Sequence, residues 1–280
     1  MIKRSILIIV LLFTGLICAS GASAERYISL SPSTTEILFA LGLQDEIVAV
    51  TSFCNYPEET KKIAKIGTFS EPNIETIISL KPTIVFATGL EQTPVVSRLK
   101  KSGLRVVVSD PKNIAELLES IMEIGKETGR EEAAEQLKEN MLRRLEAVKA
   151  KAAKIPPEKR VSVFIEIWHD PIMTAGPGSF VDELINLAGA RNIAYDAPRA
   201  YSRFSNEVII ERNPDVIILG YMDKVNESTQ LIKNRIGWQD IAAVKNNRIV
   251  KDINPDLILR PGPRLIEGLE RIYQSLYDEK

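Results

Sequence analysis

Two glutamates at matching points of two similar segments carry the clearest chemical signal in this 280-residue chain. Glu75 lies in Asn73-Ile74-Glu75-Thr76-Ile77-Ile78-Ser79-Leu80-Lys81-Pro82-Thr83-Ile84-Val85-Phe86. Glu207 lies in Ser205-Asn206-Glu207-Val208-Ile209-Ile210-Glu211-Arg212-Asn213-Pro214-Asp215-Val216-Ile217-Ile218, 132 residues later. Each segment starts with a polar cap, runs through one short apolar-faced helix, and reaches a proline seven residues after the glutamate. A β-branched run follows, of the kind that forms a buried parallel strand. One carboxylate in a first helical turn is ordinary, because the helix dipole favours it there. Two of them, at equivalent places in two half-chains, describe paired lobes that each present one negative charge.

Catalytic chemistry finds little to work with. There is no Walker loop, no zinc spacing and no nucleophile elbow. His169 is the only histidine, so a Ser-His-Asp or Cys-His site would have to be built on it alone. Beside Trp168 and Asp170 it reads as a hydrogen-bonded loop residue rather than a metal ligand. Ala175-Gly176-Pro177-Gly178-Ser179 before a helix has the composition of an anion cradle, but it lacks the full glycine spacing of a dinucleotide fingerprint, and an ordinary strand-to-helix turn is the favoured reading.

The aromatics sit where a ligand would meet them. Phe53 and Tyr56 flank Cys54-Asn55 just after a strand, and Phe69 falls in the polar turn before Glu75. Trp168 closes the strand 161–167, while Tyr201 and Phe204 precede Glu207. Strand ends are where open α/β sheets bind ligands, so the group reads as the lining of a large cleft.

The elements that must hold these residues alternate. Strands are expected at 27–30, 47–50, 84–87 and 106–109, with helices or turns around 58–63, 74–80 and 91–102. Ser33-Thr34-Thr35-Glu36 reads as a capping box opening a helix that stops at Gly42. A second series runs from the strand 161–167 through a helix at 179–188, the helix after Ser205, the strand 216–219, a helix near 227–235 and the strand 248–251. A terminal helix spans about 263–276. Both series are βαβ progressions and imply mainly parallel sheets. Between them, after a break from Gly125 to Gly129, Ala134, Leu137, Met141, Leu145, Val148, Ala152 and Ile155 put one apolar stripe on a charged helical rod, which ends at Pro156-Pro157. A stiff helix of this kind restricts two lobes to small-angle rocking.

Lys3 and Arg4, an uncharged apolar run from Ile6 to Ala19 and the ending Ala22-Ser23-Ala24 describe a cleavable secretory signal, 1–24, too short for a comfortable membrane span. Lipid attachment at Cys18 is the less favoured alternative, because the preceding Ile17 is bulky. Removing Lys3 and Arg4 from the 36 basic residues leaves 34 against 37 acidic ones, a net of about -3. No basic face for nucleic acid is expected. Cys54 would be the one cysteine of the mature chain, so no internal disulfide forms and it reads as a small, partly buried hydrophobe.

Arg26-Tyr27-Ile28-Ser29-Leu30-Ser31-Pro32 with Thr35-Glu36, then Thr51-Ser52-Phe53-Cys54-Asn55-Tyr56-Pro57, resembles the opening of the periplasmic binding proteins for cobalamin, ferric siderophores and haem. Gly67-Thr68-Phe69 leading to Glu75, Lys81-Pro82, Thr174-Ala175-Gly176, Ala188-Gly189 with Asn192-Ile193, and Asn213-Pro214-Asp215 fit the same pattern. The Cys-Asn-Tyr-Pro segment is most similar to the cobalamin branch. The resemblance covers essentially the whole mature chain. It implies an α/β, class III periplasmic binding protein: two Rossmann-like lobes with mainly parallel sheets, joined by one long α-helix. The expected divisions are a first lobe at 25–128, a linker helix at 129–157 and a second lobe at 158–280.

The family further implies a monomeric periplasmic protein without catalytic residues, resident cofactor or metal. It would capture a corrinoid and deliver it to the permease dimer of an ABC importer in the inner membrane, gripped by Glu75 and Glu207. By similarity to the cobalamin binders the cleft would use Pro32, Phe53 and Phe69 from the first lobe, with Trp168, Tyr201, Asp256 and Arg260 from the second. Phe69 and Tyr201 stand where tryptophan is common, and Thr88 is not aromatic. A ferric siderophore would need several arginines, which Arg199, Arg203, Arg260 and Arg264 could supply. Haem would need His169 or a tyrosine as axial ligand. An enzyme or metal-cluster scaffold on the same architecture is the reading from another class, and a single mature cysteine argues against the cluster.

Overall fold

The structure, a computed structural model, describes residues 24–89, 92–221 and 228–278. Residues 1–23, with most of the expected signal segment and Cys18, lie outside them, as does residue 227, the first of the helix expected near 227–235. Among the described residues no helix is long and apolar enough to cross a membrane.

The first sheet holds β1 (Tyr27–Ser29), β2 (Ile47–Val50), β3 (Ala64–Lys65), β4 (Ile84–Ala87) and β5 (Val106–Val108) in the order β3-β2-β1-β4-β5, every pairing parallel. Helices α1 (Pro32–Ala40), α2 (Ile74–Ser79), α3 (Thr93–Lys101) and α4 (Ile114–Thr128) connect and cover it. The second sheet holds β6 (Ser162–Glu166), β9 (Arg191–Asn192), β11 (Val216–Leu219) and β12 (Ile249–Val250) in the order β12-β11-β6-β9, again parallel. Its helices are α6 (Phe180–Leu187), α7 (Asn206–Arg212), α8 (Ser228–Lys233), α9 (Ala242–Lys245), α10 (Asp256–Leu259) and α11 (Leu265–Tyr277).

One sheet is absent from the sequence expectation. The strands β7 (Trp168–His169), β8 (Ile172–Ala175) and β10 (Tyr201–Arg203) form an antiparallel sheet in the order β10-β8-β7. Two to four residues of mixed polarity give no period long enough to read as strands.

Helix α5 (Glu131–Ala152) runs between the two series. Its buried stripe is Ala134, Met141, Leu145, Val148 and Ala152, five of the residues picked out by their three- and four-residue spacing. The break before it is narrower than expected. Gly125 lies inside α4, and only Gly129, at φ 66°, turns the chain in the left-handed conformation that glycine allows. Gly125 instead admits α5: a Cβ there would sit 2.5 Å from the Ala134 methyl carbon.

One apolar core takes in Leu38 and Phe86 of the first sheet's layer, Ile121 of α4, Met141 and Leu145 of α5, and Leu269 of α11. The linker helix is therefore packed into both lobes rather than strung between them. At about 25 cal/mol per Å2 of apolar surface, this burial outweighs any surface pair along the rod. Arg144 of α5 grips Glu270 of α11 with two hydrogen bonds of 2.9 and 2.6 Å. Both side chains keep about a third of their surface in water, so the pair contributes at most about 1 kcal/mol.

The capping box expected at Ser33 to Glu36 does not form. Ser31 is the N-cap residue, Pro32 takes the first helical position, and Ser31 hydrogen-bonds Ser33 through its hydroxyl. Glu36 is thereby left inside the helix, 4 % exposed, and points to a partner elsewhere.

Candidate functional site

The two glutamate-bearing segments fold into the same device. Asn73 caps α2 by accepting a 2.8 Å hydrogen bond from Thr76 N, while Ser205 leaves α7 uncapped and turns its hydroxyl to the Glu207 carboxylate. That hydroxyl, with Glu207's own backbone N–H, holds the Glu207 carboxyl below the usual carboxylate range. Glu75 and Glu207 are both exposed, one on each lobe.

The residue before each proline adopts a left-handed conformation, Lys81 at φ 47° and Asn213 at φ 44°. The residue after each proline clamps the start of the central strand. Thr83 Oγ1 accepts from Arg26 N at 3.0 Å, and Asp215 Oδ2 accepts from Ser162 N at 2.7 Å.

Pro32 stands half-buried at the head of α1, just past β1, and Phe53 follows β2 with 52 % of its surface exposed. The turn carrying Phe69 is tied to them by a residue that sequence reasoning missed. Gln92 is fully buried, donates 2.9 Å hydrogen bonds to the Leu30 and Phe69 carbonyls, and accepts one from Thr88 N. Three loop ends thus hang on one amide. Cys54 receives the Thr35 hydroxyl at 3.2 Å and is buried more completely than the small-hydrophobe reading expected.

Trp168 and Tyr201 belong to the small antiparallel sheet. Trp168 pairs with Met173, Arg203 also pairs with Met173, and Tyr201 pairs with Ala175. Directly opposed residues share a face, and alternate residues of one strand do too. Trp168, Met173, Tyr201 and Arg203 therefore form one face, with Trp168 38 % and Tyr201 41 % exposed. His169 pairs with Ile172 and so turns to the other face, where its ring meets Tyr221 at 5.9 Å. Its Nδ1 is buried without a hydrogen-bond partner among the described residues. Near it, the Glu166 carboxylate accepts from Tyr221 (2.5 Å) and from both prongs of Arg235 (2.6 and 2.9 Å). Burial, then the Glu166 charge, pushes the Tyr221 phenol far above its ordinary value, so Tyr221 stays a neutral donor.

Asp256 and Arg260 lie on and just after α10 and meet the first lobe directly. Arg260 Nη2 is 2.9 Å from Asp256 Oδ1, and Arg260 Nη1 donates to Asn55 Oδ1 at 2.7 Å. Arg264 Nη2 and Nε donate to Glu36 at 2.6 and 2.9 Å, and the guanidinium stacks 3.7 Å from the Tyr56 ring centre. Of the four arginines that could receive an anionic ligand, Arg260 and Arg264 are thus neutralised. Arg199 and Arg203 are exposed and make no ion pair among the described residues.

The glycine-rich stretch is an ordinary turn. Ser179 Oγ donates to Gly176 O and accepts from Asp182 N, and the first turn of α6 carries its own Asp182 and Glu183. Among the described residues, no three metal-ligating side chains gather into a metal-holding group.

Residues 28–255 match the family model described as periplasmic binding protein. The chain is 38% identical over 260 residues to the uncharacterized ABC transporter substrate-binding lipoprotein YvrC of Bacillus subtilis, covering 91% of this chain and 81% of that one. It is 28% identical to the vitamin B12-binding protein of Yersinia pseudotuberculosis, over 95% of this chain and 91% of the relative. Its fold superposes on the periplasmic heme-binding protein RhuT from Roseiflexus sp. RS-1 in apo form, with a TM-score of 0.81 at 28% identity, covering 91% and 98% of the two chains.

Proposed function

This chain belongs to the periplasmic binding protein family, and we propose that it captures a corrinoid between its two lobes and delivers it to an ABC importer. It is an extracytoplasmic substrate-binding component of such a transporter and not an enzyme, and its two parallel-sheet lobes are the class III arrangement.

The observation that supports the corrinoid is the pairing of exposed flat aromatics with a charge-balanced junction. Phe53, Trp168 and Tyr201 offer apolar faces at strand ends, and half-buried Pro32 and Phe69 lie on neighbouring first-lobe loops joined through Gln92. Asp256 and Arg260 offer an acceptor and a donor, respectively, that largely cancel in charge. A corrinoid is a broad, semi-rigid disc with amide-bearing edges, so faces need apolar cover and edges need hydrogen bonds rather than net charge. A rigid ligand also loses little conformational entropy on capture. The named vitamin B12-binding relative agrees with this reading. The second reading, a ferric siderophore or haem, is favoured by Arg199 and Arg203, the latter on the aromatic face. His169 is a poor candidate for haem's axial ligand because it lies on the opposite face of its strand.

Titration with cyanocobalamin is expected to saturate at one equivalent and to quench Trp168, since the other tryptophan, Trp238, is fully buried. No response at micromolar cyanocobalamin, with clear binding of hemin or a ferric siderophore, moves the assignment to the second reading.

Delivery would rest on Glu75 and Glu207, exposed at matching points of the two lobes, pairing with basic residues on the two halves of the permease. We place the lobes at 25–128 and 158–280 and the linker at 129–157, in a monomer exported by residues 1–24. A relative named as a lipoprotein makes Cys18 the competing end of the mature chain. An intact mass starting at Glu25, against one starting at a diacylated Cys18, decides between them.

A further inference from the structure

Glu36 is the one carboxylate of α1, and the ligand scheme gives it no task. It is 4 % exposed and sits in the first lobe, yet all its charged partners belong to the second. Arg264 meets both of its oxygens at 2.6 and 2.9 Å, and Arg260 Nη1 lies 3.8 Å from Oε1. Arg260 is itself 8 % exposed and is shared between Asn55 of the first lobe and Asp256 of the second. Asn55 Nδ2 completes the ring toward Asp256 Oδ2 at 3.5 Å. Two carboxylates and two guanidiniums, each mostly buried, thus balance in a network that spans 228 residues of sequence and opens to water at Asn55. Gly262 lets the second-lobe backbone approach this closely, since a Cβ there would stand 3.2 Å from Glu36 Oε2.

A two-pronged arginine–carboxylate pair fixes direction as well as distance. Glu36 therefore attaches the lobes at a point separate from α5. It also stands behind Arg260 and opposes that guanidinium's release from Asn55. The same loop that supplies Asn55 and Tyr56 carries the exposed Phe53. A shift of this junction would move Phe53 and Arg260, one proposed contact from each lobe, relative to each other.

We propose that Glu36 is a positioning residue for the ligand cleft: its bridge to Arg264 and Arg260 sets the spacing of the lobes and holds Arg260 in its binding orientation. The part concerning Arg260 rests on the cleft reading above; the part concerning lobe spacing does not.

The test separates the two. Spin labels at Lys101→Cys and Lys245→Cys, on exposed helical sites of the two lobes, report the interlobe distance in the empty protein, with Cys54 out of reach at 1 % exposure. The parent is expected to give one narrow distribution. Glu36→Gln is expected to broaden it, to lower Tm and to weaken cyanocobalamin binding about tenfold through lost preorganisation. The double variant Glu36→Gln/Arg264→Gln leaves no lone buried charge opposite the lost partner, so Tm should recover most of its loss while the distribution stays broad and the affinity weak. Arg264→Lys keeps the charge and loses only the fork, and it is expected to broaden the distribution even if neither neutral variant folds. A parent-like narrow distribution in any folded variant of the three overturns the proposal. Absence of cyanocobalamin binding by the parent would overturn the corrinoid reading alone, because the distances are read without ligand.

Discussion

The two lobes share a strand order and differ in what is added to it. In the first, β5-β4-β1-β2 repeats the order that β12-β11-β6-β9 takes in the second. The registers agree as well: Tyr27 faces Ile84 as Val163 faces Val216. Helix, left-handed residue, proline, clamp and buried strand then recur around Glu75 and Glu207. The additions do not match. The first lobe gains an edge strand, β3, whereas the second gains the antiparallel sheet that carries Trp168 and Tyr201. At the end of the central strand, fully buried Leu30 of the first lobe corresponds to fully buried Glu166 of the second, held there by Arg235 and Tyr221. A shared frame with unshared edges is what two separate tasks would require. On the proposed function, the task that both lobes would share, meeting a two-fold partner, falls to the repeated device. The task they would perform together but differently, enclosing an asymmetric ligand, would draw on the antiparallel sheet that only the second lobe carries, opposite the first-lobe loops of Pro32, Phe53 and Phe69.

The largest effect should come from breaking the shared device. Glu75→Ala with Glu207→Ala is expected to leave the affinity for soluble ligand unchanged and to abolish most uptake and transporter stimulation. Losing one partner of a desolvated interface pair costs about 2–5 kcal/mol. If the lobes are equivalent in docking, the single variants should be impaired to a similar degree, and raised salt should mimic part of the loss. Wild-type uptake by the double variant would leave these as first-turn carboxylates and no more. Strong loss from only one single variant would break the equivalence while keeping the docking.

A smaller effect is expected from the unshared sheet, and it should divide by face. Trp168→Ala removes an exposed aromatic from the Met173, Tyr201 and Arg203 face, and is expected to weaken corrinoid binding by about 1–3 kcal/mol, the worth of a buried apolar side chain. His169→Ala changes the neighbouring residue on the opposite face and should leave affinity within about threefold, under 1 kcal/mol. Equilibrium titration of both variants checks the division. A loss of two orders of magnitude in His169→Ala, with an altered visible spectrum, would place a metal-coordinating histidine where the register puts a core-facing one.

Much of this division was legible in the sequence where it depends on local pattern. The repeated segments, the apolar stripe of α5 and the alternation of the two series all rest on periods that single stretches of chain display. Glu36 was misread for the same reason. Ser33 to Glu36 has the spacing of a capping box, but Pro32 at the first helical position moves the cap to Ser31, and the true partner, Arg264, lies 228 residues away. Gln92 gave no signal at all, because a buried glutamine is recognised only by the three loop ends it joins. Gly125 looked like a break because its role, admitting Ala134 of the next helix, is a packing role that composition does not reveal. The antiparallel sheet is too short for periodicity, although its aromatics had marked the region as unusual.

The smallest expected effect tests how far the repeat extends into the backbone. Lys81 and Asn213 both take left-handed angles before their prolines, and a residue preceding proline is already restricted in what it can adopt. Lysine carries the steric penalty of that region in full, whereas asparagine is one of the few side chains that tolerate it. Lys81→Gly should therefore stabilise the protein, or cost nothing, with a gain of up to about 1 kcal/mol after the entropy glycine adds to the unfolded chain. Asn213→Gly should not gain. Its side-chain oxygen accepts a 2.7 Å hydrogen bond from Ala242 N at the start of α9, and glycine would leave that N–H without its partner, a loss of about 1 kcal/mol. Denaturant midpoints of the two variants, measured with unchanged slopes, give the comparison directly. Equal shifts would mean that the two turns are energetically the same device. A destabilised Lys81→Gly would mean that the lysine side chain does something at this turn beyond occupying a strained position.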